Sequence, residues 1–223
     1  MSDAPASARW KLVAGAPCLD FVNTVGGRVL DPDTRCGSGF RVVRESLESY
    51  DDLLRWADFA SLVTGPELER LRELAAEDPR RAAAVHARAV AFREALYRLG
   101  SAVVHGRQAT PCDTSWLDQE WHAARDAQRI SIRRGAEGGR VAVAWQDEPR
   151  LDRPLWPLAL DAVELFTGNC HGVQLDRLKQ CPGEDCGWLF LDTSRNGSRQ
   201  WCDMRDCGNI AKVRRFRQRL RVA

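Results

Sequence analysis

Apolar positions in this chain recur at three- and four-residue steps over most of its length, the spacing of helices that bury one face. From Asp51, the residues Leu53, Leu54, Trp56, Ala57, Ala60 and Leu62 make such a face, and Asp51 and Asp52 suit the positive end of a helix. Thr64-Gly65-Pro66 stops that segment, and a short helix carrying Leu68, Leu71 and Leu74 follows. The longest periodic run starts at Pro79 and reaches about Val104. Ala82, Val85, Ala89, Phe92, Leu96, Leu99 and Val103 keep step through it and predict the spine of an N-terminal domain. Further helices are predicted over 113–128, with Trp116, Leu117 and Trp121 inward, and over 154–166. Between these two the period drops to two. Residues 129–133 and 140–145 alternate across a glycine-rich turn, which predicts a β-hairpin. The glycine-rich stretch 26–39 reads as a loop.

The pattern changes character in the last fifth of the chain. Cys181 and Cys186 form one pair and Cys202 and Cys207 another, each bracketing four residues. Thiolates are soft ligands, and four of them at tetrahedral geometry suit Zn²⁺. Between the pairs, Trp188 to Leu191 is strand-prone, Asn196-Gly197 is a strong turn, and Arg199 to Trp201 would return, so a hairpin is expected there. Trp188, Phe190 and Trp201 are assigned to a small core of this module, with base stacking as the alternative. Arg199 and Arg205 would temper the negative charge of the thiolates. After Gly208 the spacing is helical. Ile210, Val213, Phe216 and Leu220 share a stripe, while Lys212, Arg215 and Arg219 align with Arg214, Gln218 and Arg221 beside them.

Charge sharpens this division. The whole chain carries only +2, yet residues 177–223 hold 11 Lys and Arg against 5 Asp and Glu, and no acid follows Asp206. A helix built only for solubility would mix signs, so this one is a candidate polyanion surface, with Arg215 or Gln218 reaching base edges. No apolar run approaches the length of a membrane span, and the N-terminus has no apolar signal-peptide core. A cytoplasmic protein with reduced thiols is expected, which favours zinc over disulfides. The other cysteines, Cys18, Cys36, Cys112 and Cys170, are scattered and read as small buried or idle residues. Phosphate loops, nucleophile elbows and His-Glu metal motifs are absent, and four cysteines would close the metal shell, so no enzyme is expected.

The run Cys181 to Asn209, C-x4-C-G-W-L-F-L-D-T-S-R-N-G-S-R-x-W-C-x-M-x-x-C-G-N, resembles the CGNR zinc finger, which sits at the C-terminus of proteins described as transcription regulators. The signature departs at its last letter, where Ile210 replaces arginine. A second resemblance begins at Leu19-Asp20-Phe21-Val22-Asn23-Thr24, which is similar to the opening of the ABATE domain, the usual N-terminal partner of that finger. Asp20, Asn23 and Thr24 are polar groups set among apolar ones. They read either as caps and internal hydrogen-bonding groups or as the floor of a small-molecule pocket.

The expected fold is therefore mainly α. A multi-helical domain with a small β-hairpin spans 9–170, and a four-cysteine zinc finger (knuckle, hairpin, knuckle, basic helix) spans 177–223, packed close to it. The expected function is zinc-dependent DNA binding by a transcription regulator, with the N-terminal domain sensing an effector or forming a homodimer. An RNA-binding module and a protein-interaction module remain as alternatives.

Overall fold

A computed structural model of the chain describes residues 9–30, 40–135, 138–168 and 175–222. Within them the order is α1 (Pro17–Val22), β1 (Arg28–Leu30), β2 (Phe40–Val42), α2 (Tyr50–Phe59), α3 (Gly65–Glu77), α4 (Pro79–Val104), α5 (Pro111–Asp126), β3 (Gln128–Gly135), β4 (Gly138–Trp145), α6 (Trp156–Phe166), β5 (Leu178–Gln180), β6 (Leu189–Leu191) and α7 (Asn209–Val222). The strands form three separate antiparallel pairs, β1–β2, β3–β4 and β5–β6.

The helices start where short polar side chains can satisfy free N–H groups. Ser49 accepts from the Asp52 N–H, Asp78 from Arg81 and Thr110 from Asp113, and Thr64 forms a reciprocal capping box with Glu67. Thr64-Gly65-Pro66 thus opens α3, whereas α2 has already ended at Phe59 with Ala60 as its C-cap. The α4 helix is the spine. α1, α2, α3 and α5 all pack on it, and α6 lies across α1 and α5. Phe21 joins these layers, with its ring 5.2 Å from Trp56 and 6.4 Å from Phe92.

Two expectations change. Part of the stretch read as loop is sheet: β1 pairs with β2 with Leu30 opposite Phe40, while residues 31–39 lie outside the described ones. In α5 the fully buried positions are Asp113, Glu120 and Ala124, whereas Trp116, Leu117 and Trp121 are only half-buried. The cause is a pair of interhelical bonds from α4. Arg88 grips Glu120 at 2.5 and 2.6 Å, and Arg98 reaches Asp113 at 2.6 Å. A hydropathy pattern scores such buried carboxylates as surface.

A buried charge cluster supports β1. Arg93 grips Glu45 at 2.6 and 2.7 Å and Glu94 at 2.9 Å, and Arg28 reaches Glu94 at 3.0 Å with its guanidinium 3.9 Å over the Tyr97 ring. This cluster lies directly beneath the C-terminal module.

Candidate metal centre and the helix it roots

β5, the first cysteine pair and β6 form one continuous turn of chain. Gln180 pairs with Leu189 across the knuckle, and the Cys181 N–H donates to Trp188 O at 2.8 Å. The module therefore does contain an antiparallel hairpin, but its arms are not those expected. The expected return strand, Arg199 to Trp201, is irregular, and Leu178 to Gln180 takes its place. Asn196-Gly197 still turns the chain, with Gly197 at φ 61°. The return is held by Asp192, which is fully buried. Its carboxylate accepts from Lys179 at 2.6 Å and from the N–H groups of Ser194 and Arg199 at 2.9 Å each. Burial works against that charge, but Lys179 and Ser194 outweigh it and keep the carboxyl below its usual range. Lys179 and Asp192 gave no signal in sequence, because a lone Lys and a lone Asp thirteen residues further on look like any solvated pair.

The four sulfurs of Cys181, Cys186, Cys202 and Cys207 lie within 4.8 Å of one another. Cys186 and Cys202 are 3.6 Å apart, and Cys202 and Cys207 3.7 Å. Sulfurs about 2.3 Å from a central Zn²⁺ sit about 3.8 Å apart at the corners of a tetrahedron. Disulfide sulfurs would stand about 2.05 Å apart. Hydrogen bonds from Cys186 and Cys202 hold the Cys181 thiol below its usual range, and the same sharing pushes Cys186 and Cys202 up. Four adjacent sulfurs cannot all ionise unaided; a divalent cation allows it. Backbone N–H groups of Gly183 and Cys202 near Cys181, and of Trp188 near Cys186, favour the thiolate forms. A Cβ at Gly183 would press on the Cys207 sulfur at 3.0 Å and on the Cys186 Cβ at 3.1 Å.

Cys207 sits in a wide π turn, Met204–Gly208, that runs straight into α7. The metal ligands thus fix the root of that helix. Beyond its root, α7 touches little else: Lys212, Arg214, Arg215, Gln218 and Arg219 are exposed, and the side chain of Arg221 lies outside the described ones. The stripe of Ile210, Val213, Phe216 and Leu220, which the periodicity set aside as an inner face, is exposed too. Ile210, standing where the signature has arginine, is half-uncovered at the start of this helix. Lys212, Arg215 and Arg219 line one side of a groove of about 480 Å³ with Trp201, Met204 and Phe216. Phe216 was legible as a member of this face, being four residues from Lys212 and three from Arg219. One cation is not free: Arg214 pairs with Glu184 of the first knuckle.

The aromatic residues divide. Phe190 is fully buried, and Trp188 donates to Val25 O at 3.0 Å, so both pack onto the helical domain instead of a private core of the finger. Trp201 stays beside α7. Arg199 serves backbone carbonyls, reaching Val13 at 2.7 Å and Trp201 at 3.0 Å, and also Cys202.

Asp20, Asn23 and Thr24 are buried, and their polar atoms are engaged within the chain. Asp20 accepts from the N–H groups of Val13 and Ala14 at 2.8 and 2.9 Å. Asn23 makes a two-way bond with Leu189, donating to its O at 2.8 Å and accepting from its N–H at 3.0 Å. Thr24 donates to Phe21 O at 2.7 Å and accepts from Arg93 at 3.3 Å. Two residues that the sequence did not single out complete the seam. The Arg28 N–H donates to Cys186 O at 3.0 Å, and Gly27 lies so close to Asp185 O that a Cβ would stand 1.7 Å from it. Of the scattered cysteines, Cys18 is buried and Cys112 exposed, while Cys36 and Cys170 lie outside the described residues.

A helical platform fused to a four-cysteine cluster that suits one Zn²⁺, with a basic helix leaving it, defines a zinc-finger protein. Residues 15–169 match the ABATE family, whose description is "Putative stress-induced transcription regulator", and residues 177–220 match the CGNR zinc finger. The first match covers well over half of the sequence, and the chain belongs to the ABATE family. Among curated proteins none matches the chain. No helix among the described residues is long and apolar enough to cross a membrane.

Proposed function

We propose that the protein is a zinc-dependent DNA-binding transcription regulator that lays α7 against the duplex. The observation that supports this most is the uncovered basic helix rooted in the cysteine site, with Lys212, Arg215 and Arg219 along one groove. Cations exposed along a helix neutralise phosphates, and Arg215 and Gln218 are long enough to reach base edges in a major groove. A reducing compartment such as the cytoplasm keeps the four thiols available to the metal. Any small effector would find room between α2, α3 and α4, in a groove of about 560 Å³ floored by Leu54, Ala75, Ala82 and Tyr50. We place it there and not at Asp20, Asn23 and Thr24, whose hydrogen bonds are already made.

The test is fluorescence anisotropy on duplex DNA over a salt series. With about four phosphates engaged, log affinity falls against log salt with a slope of roughly −3.6. Replacing Lys212, Arg215 and Arg219 by alanine should flatten that slope by about 3, in proportion to the cations lost. A slope near zero for the wild type removes this reading. The exposed Phe216, with half-buried Trp201 beside it, favours one rival, a single-stranded or structured RNA whose bases stack on them. RNA that outcompetes duplex DNA, with loss on Phe216→Ala, would decide for it.

A further inference from the structure

The groove at the root of α7 sets an aromatic ring among cations. Its α7 wall carries Lys212, Arg215, Phe216 and Arg219, and Trp201 and Met204 line it from the finger. Phe216 is 63% exposed. Around the helix axis it stands about 40° from Lys212 and about 60° from Arg219. The other members of the apolar stripe, Ile210, Val213 and Leu220, are exposed as well but lie outside this groove. Each is turned roughly 100° or more from the centre of the three cations. Phe216 is thus the member of the stripe that faces the surface on which a polyanion would lie.

We propose that Phe216 is a specificity-determining residue that contacts the C5 methyl group of thymine in the major groove. The inference rests on the DNA reading above and names the base that this helix favours. A duplex offers an exposed ring little to bind. Its phosphates are charged, its base faces are closed by stacking, and most of its base edges are hydrogen-bonding groups. The one methyl group that lines the major groove belongs to thymine, and an apolar side chain such as phenylalanine reads it by direct contact. Lys212 and Arg219 flank Phe216 along the axis, about 6 Å before it and about 4.5 Å after it. Cations so placed can hold phosphates while the ring between them reaches the edge of a base pair.

Stacking is the other use of an exposed ring in nucleic-acid binding, and it needs bases freed from a duplex. The methyl contact works on an intact duplex. It is lost on RNA, where uracil takes the place of thymine, so the same ring gives α7 a preference for DNA over RNA. Because Phe216 is exposed and stands outside the core cluster, replacing it alters the surface and leaves the packing of the chain alone.

The test is fluorescence anisotropy of the zinc-loaded full chain on two duplexes, one of alternating adenine and thymine and one with uracil in place of thymine. The two differ in composition by the methyl alone. Wild type should bind the thymine duplex about fourfold more tightly, the effect of one methyl group withdrawn from water. Phe216→Ala should bind both duplexes equally, with zinc content and salt slope unchanged. Phe216→Leu keeps an apolar side chain and should keep part of the difference. Equal binding of both duplexes by wild type, with a steep salt slope, overturns this inference and leaves the DNA reading standing. A thymine preference that persists in Phe216→Ala overturns it too, by assigning the methyl contact to another side chain. Binding to neither duplex overturns both readings. Single-stranded RNA that binds more tightly than either duplex, with loss on Phe216→Ala, assigns the ring to stacking and overturns the inference likewise.

Discussion

Gly27 marks the closest approach between the helical domain and the finger. Its φ of 146° belongs to backbone that side chains rarely adopt, and an added Cβ would collide with Asp185 O at 1.7 Å. Backbone on both sides leaves nothing flexible to yield, so Gly27→Ala should cost roughly 3 kcal/mol or more. Gly65→Ala is the matched control, with nothing within 4 Å of the added methyl, and should leave the urea midpoint almost unmoved. Equal midpoints for the two variants would refute the account of this contact. Asp20 offers a second test. Burial pushes its carboxyl up to about 6, against the pull of the Ala14 and Val13 N–H groups and with a further push from Asp161. An unfolded aspartate titrates near 3.9, so between about 4 and 6 the folded protein binds the extra proton and stability falls as pH rises. Asp20→Asn keeps an oxygen for both N–H donors and does not titrate. Its melting temperature should gain on wild type between pH 4.5 and 7, a difference in which the acid lability of the zinc site cancels. A gap that stays constant or closes as pH rises would count against this. Sequence left Asp20, Asn23 and Thr24 open between internal bonding and a pocket floor. Nothing local could decide it, because the partners of Asn23 and Thr24 include Leu189 and Arg93, far along the chain.

Elements were legible in proportion to how many of their own residues set them. The α4 helix repeats its apolar step through 26 residues, and both ends fall where Asp78-Pro79 and Val104-His105 place them. β3 and β4 are likewise eight residues each, long enough to repeat their two-residue step. β5 and β6 are three residues each, too short to show a period, and β6 pairs with β5 because Cys181 and Cys186 fold the chain back between them. Strand propensity alone therefore predicted the wrong arm. α7 shows the opposite case, in which the period is clear but the apolar stripe meets nothing. A 14-residue helix without packing is marginal in water, so its order depends on its root. Hydrogen exchange should show α7 amides weakly protected when zinc is bound and unprotected once a chelator removes it. Amides of α4 around Phe92 should exchange slowly in both states. Retained protection of α7 without metal would mean that the cysteine site does not hold it.

At the scale of the whole molecule the finger has no core of its own. Leu178, Leu189, Phe190 and Leu191 are buried together with Phe21, Phe92 and Leu96 in a single cluster. Burying four such side chains contributes roughly 6–12 kcal/mol, an upper figure for extended-chain bookkeeping. Much of that burial is against α1 and α4, so the finger draws stability from the platform, and the platform from the finger. The polar seam points the same way: the Leu191 N–H donates to Ala14 O at 2.7 Å, Gln180 to Tyr97 at 2.9 Å, and Lys11 bridges to Asp203 at 3.0 Å. Metal binding at the cysteines is then linked to the folding of the entire chain, since an ion that binds only the folded state stabilises everything folded with it. Scanning calorimetry should give one transition for the zinc-loaded protein. Chelation or Cys202→Ser should lower its temperature as a whole instead of releasing a small early transition. The segment 175–223 made alone should remain unfolded even with zinc, because the faces of Leu189 and Phe190 would be bare. Two resolved transitions, or a folded isolated finger, would show that the module is independent and that the seam at Asn23, Gly27 and Arg28 only tethers it.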